Sequence, residues 1–561
     1  MDKAPEYSRW TKDALIKRIQ WLEAQKVSLL QNTSCSSSTQ PPQEEATGQQ
    51  QQQQPTPEGA VAAGEPAKKK KSGKKKVDGK IDPFKYSTRL VAFKLAYLGK
   101  AYGGYEFQDS ATLSTIEEEL WKALVKSCLI FPENPDEVRW EAWDYSKCGR
   151  TDRGVSAFGQ VVALRDGGGQ DESVATEETE EQELPEEEKP FDDHTDEIPY
   201  CRILNRLLPA DIRVLAWCPN IPAGFSARHE CRERQYRYFF TQPAYSPVPH
   251  SLENPKTEVP GGVKDGWLDI DAMRAAAKKY EGAHDFRNFC KVDPGKLITN
   301  FVRRIFECDV VEVPGAATAL PHLARTKKSF PKVYYFHVRG SAFLWHQIRC
   351  MVAVLFAVGQ GLEPPAVVDE LLDPARHPRR PNYTLASEFP LVLWDCVFPD
   401  LSITDAPGAD PAAPKVDTLY WVYVGEDNPL NKHGVSGLVD QVWQGWRERK
   451  MDEILAGQLL SLVTPGGTAS GDITRRLARG APRHISASQR AFEGGDRDRI
   501  VGRYVPMLQK DKLPAPEDTY DKEARRKGYK DADDWRAARA KKFEGIPLRF
   551  HRPAIVEEGD E

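Results

Sequence analysis

Between Tyr86 and Phe398, stretches that alternate apolar and polar residues take turns with stretches of helical period. "RLVAFKLAYLG" puts Val91, Phe93, Leu95 and Tyr97 on one face, the signature of a half-buried strand. In "TIEEELWKALVKSC", Thr115 and Glu118 predict a capping box, and Ile116, Leu120 and Leu124 a helical stripe. Residues 157–164 alternate again, and "CRILNRLLPADIRVLAW" reads as a short helix followed by a strand. The resulting β-α-β-α-β order predicts an α+β layer, with helices on one side of a mostly antiparallel sheet.

A second set of similar make-up follows. "RQYRYFF" is a strand and "DAMRAAAKKYEG" a helix opened by Asp271. "FVRRIFECDVVEV" and "KVYYFHVRG" are strands, and "SAFLWHQIRCMVAVLFAVGQG" is a helix ending in glycines. Two consecutive α+β units predict domains over 86–230 and 231–400, with a cleft between them.

The flanks differ in character. Residues 1–85 open with an amphipathic segment, 8–30, in which Leu15, Ile19, Leu22 and Leu29 form a stripe suited to packing on its own protein or to dimerisation. The Ser/Gln/Pro-rich and then lysine-rich stretch 31–82 lacks the apolar content to fold. Its "KKKKSGKKK" (68–76) suits a nuclear import signal, an RNA-grasping arm or a solvated linker. Residues 401–561 read as an extension with helical pieces at 436–463 and 533–543.

The net charge of −5 over 561 residues conceals an asymmetry. Asp171–Glu197, inside a predicted disordered insertion at 167–197, holds fourteen acidic residues against one lysine, which leaves +8 for the remainder. A basic folded part suits a polyanionic partner. No apolar run is long enough to span a membrane, and the N-terminus has no secretory apolar core, so neither fate is expected. The ten cysteines include no CxxC pair and read as reduced thiols, with no metal site expected.

Several familiar chemistries are excluded. "GKAYGGYEF" lacks the GK[ST] of a phosphate loop, "HEC" (229–231) lacks the deaminase spacing, and neither G-x-S-x-G nor HExxH occurs. What remains is the turn "CGRTDRGVSA", whose Gly149 and Gly154 permit a tight backbone and close approach of a ligand. On residue type alone, its Asp152 closes a turn, pairs with Arg150, or acts as a single reactive carboxylate.

That turn resembles the G-R-T-D-x-G-V-x-A signature of the TruA family of tRNA pseudouridine synthases. Four further stretches match in family order: "YLGKAYGGYEFQ", "FSARHECRERQYRY", "GAHDFRNFC" and "FLWHQIRCMV". "FPLVLWDC" and "RYVPML" are similar to the eukaryotic branch acting at positions thirty-eight and thirty-nine of the tRNA anticodon stem–loop. The resemblance implies the pseudouridine synthase fold with its catalytic cleft between the two domains. It also implies isomerisation of uridine to pseudouridine without cofactor or metal, a tRNA partner gripped by its anticodon arm, and a homodimer in nucleus and cytoplasm.

By the same resemblance Asp152 is the catalytic aspartate, Arg349 its guanidinium partner and Tyr236 the base-stacking tyrosine. Arg150 would contact the flipped nucleotide or its phosphate. Tyr238 lies on the same strand face as Tyr236, so spacing alone does not separate the two. The alternatives are a tRNA-binding chaperone that has lost the reaction, or a synthase of the family acting on other tRNA positions or on small nuclear RNA.

Overall fold

A computed structural model describes residues 88–166, 192–245, 266–314, 332–400, 410–463 and 489–543, apart from breaks of one to three residues within them. The N-terminal segment 8–30, the linker 31–82, the lysine run and most of the acidic insertion lie outside the described residues. The described residues fall within one compact unit, Gly79–Glu561.

In chain order the N-terminal half supplies β1 (Leu90–Tyr97), α1 (Ile116–Lys126), β2 (Ser146–Lys147), β3 (Ser156–Arg165), α2 (Tyr200–Leu207) and β4 (Ile212–Cys218). The next half supplies β5 (Glu233–Gln242), α3 (Ile270–Lys278), β6 (Gly282–Asp285), β7 (Val302–Glu312), β8 (Lys332–Gly340), α4 (Gln347–Gly359), α5 (Val367–Leu372) and β9 (Leu391–Val397). The extension adds β10 (Val422–Tyr423), α6 (Pro429–His433), α7 (Leu438–Val463), β11 (Gln489–Ala491), β12 (Arg499–Val501), α8 (Pro516–Arg526) and α9 (Ala532–Phe543).

The fold is α+β. One ten-stranded sheet runs β10-β4-β1-β3-β9-β5-β8-β7-β6, with β2 also paired to β3. Its strands pair antiparallel except β3 with β9, where Ser156 faces Val392 and Ala157 faces Leu393. Strand β9, late in sequence, thus sits at the centre and joins the two halves into one sheet. Two apolar cores pack on it. One gathers Phe93, Trp121, Val161 and Leu204; the other gathers Phe286, Phe336, Met351 and Phe356. Strand β9 gives Leu393 and Cys396 to the first and Leu391 to the second.

Local chemistry explains the elements. The Thr115 hydroxyl accepts from the Glu118 amide at 3.2 Å while the Glu118 carboxylate accepts from the Thr115 amide, closing the expected capping box of α1. The cap of α3 is Asp269 rather than Asp271: Asp269 accepts from the Ala272 amide at 2.9 Å, whereas Asp271 already lies in the first turn and pairs with Arg274. Strand β3 reads as alternating, yet Val161, Val162, Ala163 and Leu164 are all fully buried, in the part of the strand that pairs with β1 and, at Val162 and Ala163, with β2.

The extension is part of the body. Phe492 and Met507 enter the second core. The buried Glu363 carboxylate, just beyond α4, accepts from the Tyr504 hydroxyl at 2.7 Å and the Met507 amide at 2.6 Å. Helices α8 and α9 form a small third core in which Tyr520, Ala524 and Trp535 close on Leu297. No helix among the described residues is long and apolar enough to cross a membrane.

Candidate active site

The Asp152 turn leaves β2 and enters β3, and neighbours fix it from several sides. The Tyr105 amide donates to the Thr151 carbonyl (3.1 Å), Tyr97 and Thr151 share a hydroxyl contact of 2.7 Å, and Gln160 donates to the Gly149 carbonyl (2.6 Å). Gly154 has φ of 80°, and a Cβ there would lie 2.9 Å from Cγ of Glu388. Glycine is therefore required both for the backbone and for the close approach of the 386–389 loop.

The turn opens onto a cleft of about 1380 Å³ that also takes in Tyr236, Trp345, His346 and Arg349. Asp152 is 27% exposed at its side chain. Trp345 donates its indole N–H to Oδ1 at 3.1 Å, and Nε2 of His346 lies 3.2 Å from Oδ2. Burial, followed by the charges of Arg349, Lys291 and Arg380, pushes the His346 pKa down to about 3. The imidazole is thus neutral at physiological pH, and a neutral ring facing a carboxylate through Nε2 carries its proton there and donates it. Its Nδ1 is buried with no hydrogen-bond partner among the described residues, and its backbone holds a left-handed φ of 60°.

Arg349 departs from expectation. Its Nε donates to the Ala386 carbonyl at 2.8 Å and its Nη2 to Glu388 Oε2 at 2.9 Å, so the direct ion pair with Asp152 is not formed. The cause is local. The Ala386 amide donates to the Arg349 carbonyl, docking the 386–388 segment along α4 with its carboxylate within reach of the guanidinium. Arg349 acts on Asp152 through its field instead. Burial raises the Asp152 pKa and the Glu388 charge adds to that; the Trp345 hydrogen bond and then the Arg349 charge oppose it.

Tyr236 and Tyr238 separate by depth. Tyr238 is fully buried, edge-on to Phe356 at 5.7 Å, and belongs to the core. Tyr236 is half-buried, lines the cleft, and meets Phe343 edge-on at 5.2 Å. Burial chiefly raises its hydroxyl pKa, and the Asp152 charge contributes in the same direction, so the phenol stays protonated.

Arg150 stands at the rim, 45% exposed, paired with Glu106 at 3.1 Å. The cleft is lined by ten lysines and arginines against five carboxylates. Sequence reasoning passed over Trp345 and His346, although both stand in a motif singled out for Arg349. It also passed over Lys291, which sits 4.4 Å over the Trp345 ring and donates its amide to the Trp345 carbonyl, holding the indole toward Asp152.

A family profile described as tRNA pseudouridine synthase matches residues 276–399. A probable tRNA pseudouridine synthase of Caenorhabditis elegans is 32% identical over 410 residues, which is 72% of this chain and 85% of that protein. The chain belongs to the tRNA pseudouridine synthase family. A tRNA pseudouridine(38/39) synthase of Mus musculus is 43% identical over 326 residues, and one of Saccharomyces cerevisiae 38% over 328. The matched region covers 59% of the mouse protein and 61% of the yeast one, so the chain spans less than two thirds of these relatives. For a synthase of this family, the cleft offers the Asp152 carboxylate with two neutral donors on it, a protonated phenol and a basic surround.

Proposed function

We propose that this synthase isomerises uridine to pseudouridine in the anticodon arm of tRNA, at positions thirty-eight and thirty-nine. The reaction breaks the bond from N1 of uracil to C1′ of its ribose and makes one from C5 to C1′. N1 gains a proton and C5 loses one, so electrons balance without an oxidant. A single carboxylate suffices, as nucleophile or proton acceptor at the sugar–base junction. The observation that carries the reading is Asp152 itself, withdrawn from bulk water and held by donors on both oxygens.

The other residues take supporting roles. Tyr236 offers a ring to stack on the extruded base and a hydroxyl to pass a proton. Trp345 and His346 orient the carboxylate, and Arg349 favours its ionised form. Arg150 and the basic rim hold the phosphates of the flipped strand. The names of the mouse and yeast relatives support the choice of positions.

Homodimerisation and residence in nucleus and cytoplasm belong to the same proposal. Trp443, Trp446, Leu455 and Leu459 leave α7 with large exposed apolar side chains, which supports self-association. The lysine run at 68–76 supports nuclear import. The test is tritium release from 5-labelled uridine in tRNA, with pseudouridine mapping of the anticodon arm. Release by the wild type and none by Asp152→Ala is the expected result; equal release by both refutes the assignment.

A further inference from the structure

Three cysteines far apart in sequence meet beneath the Asp152 turn. Cys148 follows β2 directly and gives its amide to the Val161 carbonyl at 2.9 Å; Cys231 precedes β5; Cys396 lies on β9. Their sulfurs all lie within 4.8 Å of one another, and each residue is at most 5% exposed. No disulfide joins them. Three thiolates around a tetrahedral Zn²⁺ sit at about 2.3 Å from the metal, which sets sulfurs roughly 3.8 Å apart. Only a small contraction separates the observed cluster from that shape.

Charge supplies the second observation. The Arg234 guanidinium spreads over this cluster, with Nη2 on the Cys148 carbonyl (3.1 Å) and Nη1 on the carbonyls of Cys231 (3.3 Å) and Ser341 (3.0 Å). Nη2 also reaches the Arg228 carbonyl. Among the described residues Arg234 has no carboxylate partner, and a largely enclosed cation without a counter-anion is costly. A divalent cation held by three thiolates carries one net negative charge, which Arg234 matches. The guanidinium would then fix the backbone of two ligands and neutralise the site.

We propose that Cys148, Cys231 and Cys396 form a binding site for a thiophilic divalent cation, Zn²⁺ being the natural occupant. Cys148 and Cys231 also line the cleft, so a water molecule from it can complete a fourth position. The site is a brace. Cys148 lies four residues before Asp152 and Cys231 five before Tyr236, so one ion would fix the carboxylate turn against the tyrosine strand and the central β9.

The test is the metal content of the full chain purified without chelator, by elemental mass spectrometry, for wild type, Cys396→Ser and Cys308→Ser. About one zinc per chain is expected in the wild type and in Cys308→Ser, a buried cysteine on β7, with at least a roughly tenfold loss in Cys396→Ser. Because Cys396→Ser could lose metal by unfolding, the wild type is also exchanged with Co²⁺. Sulfur-to-cobalt charge-transfer bands of a three-thiolate site are expected. Wild-type protein without zinc and without those bands on Co²⁺ addition overturns the proposal. So does full metal retention in Cys396→Ser, or a disulfide between any two of the three cysteines in the freshly purified chain.

Discussion

Nε2 of His346 and Oδ2 of Asp152 stand 3.2 Å apart, a neutral imidazole donating to a carboxylate of the cleft. Its neutrality follows from burial beside three cations, and it makes His346 a hydrogen-bond donor rather than a counter-ion. His346→Phe should therefore lower kcat about tenfold, the worth of one hydrogen bond to a charged group. The acid limb of the kcat profile should also move to higher pH, because Asp152 loses a donor that favours its ionised form. A purely structural loss would leave that limb in place.

The carboxyl of Asp152 itself gives a prediction on stability. Burial raises its pKa, so the folded state favours the neutral acid. Its contribution to stability is complete below the ordinary aspartate range and is lost as pH rises through the folded pKa. Asp152→Asn, which carries no charge, should thus melt at a higher temperature than wild type at neutral pH. The difference should shrink as pH falls and vanish below about pH 3, where the wild-type group is protonated on both sides of the unfolding equilibrium. Activity should fall by about a thousandfold or more in the same variant. Thermal melts at the two pH values and tritium release read the two effects separately.

Arg349 makes two directed contacts with different atoms of one planar fork, to Ala386 and Glu388. Lysine offers a point charge and cannot reproduce both. Arg349→Lys is expected to reduce kcat by roughly tenfold to a hundredfold with KM little changed, since the loop that abuts Gly154 loses its tether. Glu388→Gln combined with Arg349→Lys should fall well short of the summed single effects, as partners in one network do.

Much of this was legible in the chain, and the limits have a common cause. The Thr115–Glu118 box and the period-two faces of β1 and β5 are local, so spacing reveals them. The central place of β9 is not local: "FPLVLWDC" stands out in the sequence only by its resemblance to the eukaryotic branch, and the insertion of its strand between β3 and β5 depends on what the other strands leave unpaired. The partner of Arg349 was missed for the same reason, because Glu388 reaches it only once the 386–388 segment docks on α4. Cys148, Cys231 and Cys396 share no spacing rule at all. Only the sheet brings them together.

The basic rim gives a prediction on binding. Ten cations line the cleft, and under the proposed function those at its mouth, Arg150 among them, would meet phosphates rather than base edges. Arg150→Ala should weaken tRNA binding and reduce the slope of log K against log salt by about 0.7 to 0.9, the release of one counterion. Arg150 is already paired with Glu106 at 3.1 Å in the free protein. Glu106→Gln should therefore act in the opposite direction, tightening tRNA binding at low salt; the other partner of Glu106, Lys147 at 3.2 Å, keeps the Glu117 carboxylate at 2.6 Å. Filter binding across a salt series measures both variants. An unchanged slope in Arg150→Ala would remove that residue from the phosphate track and leave the grip on RNA to the cations deeper in the cleft.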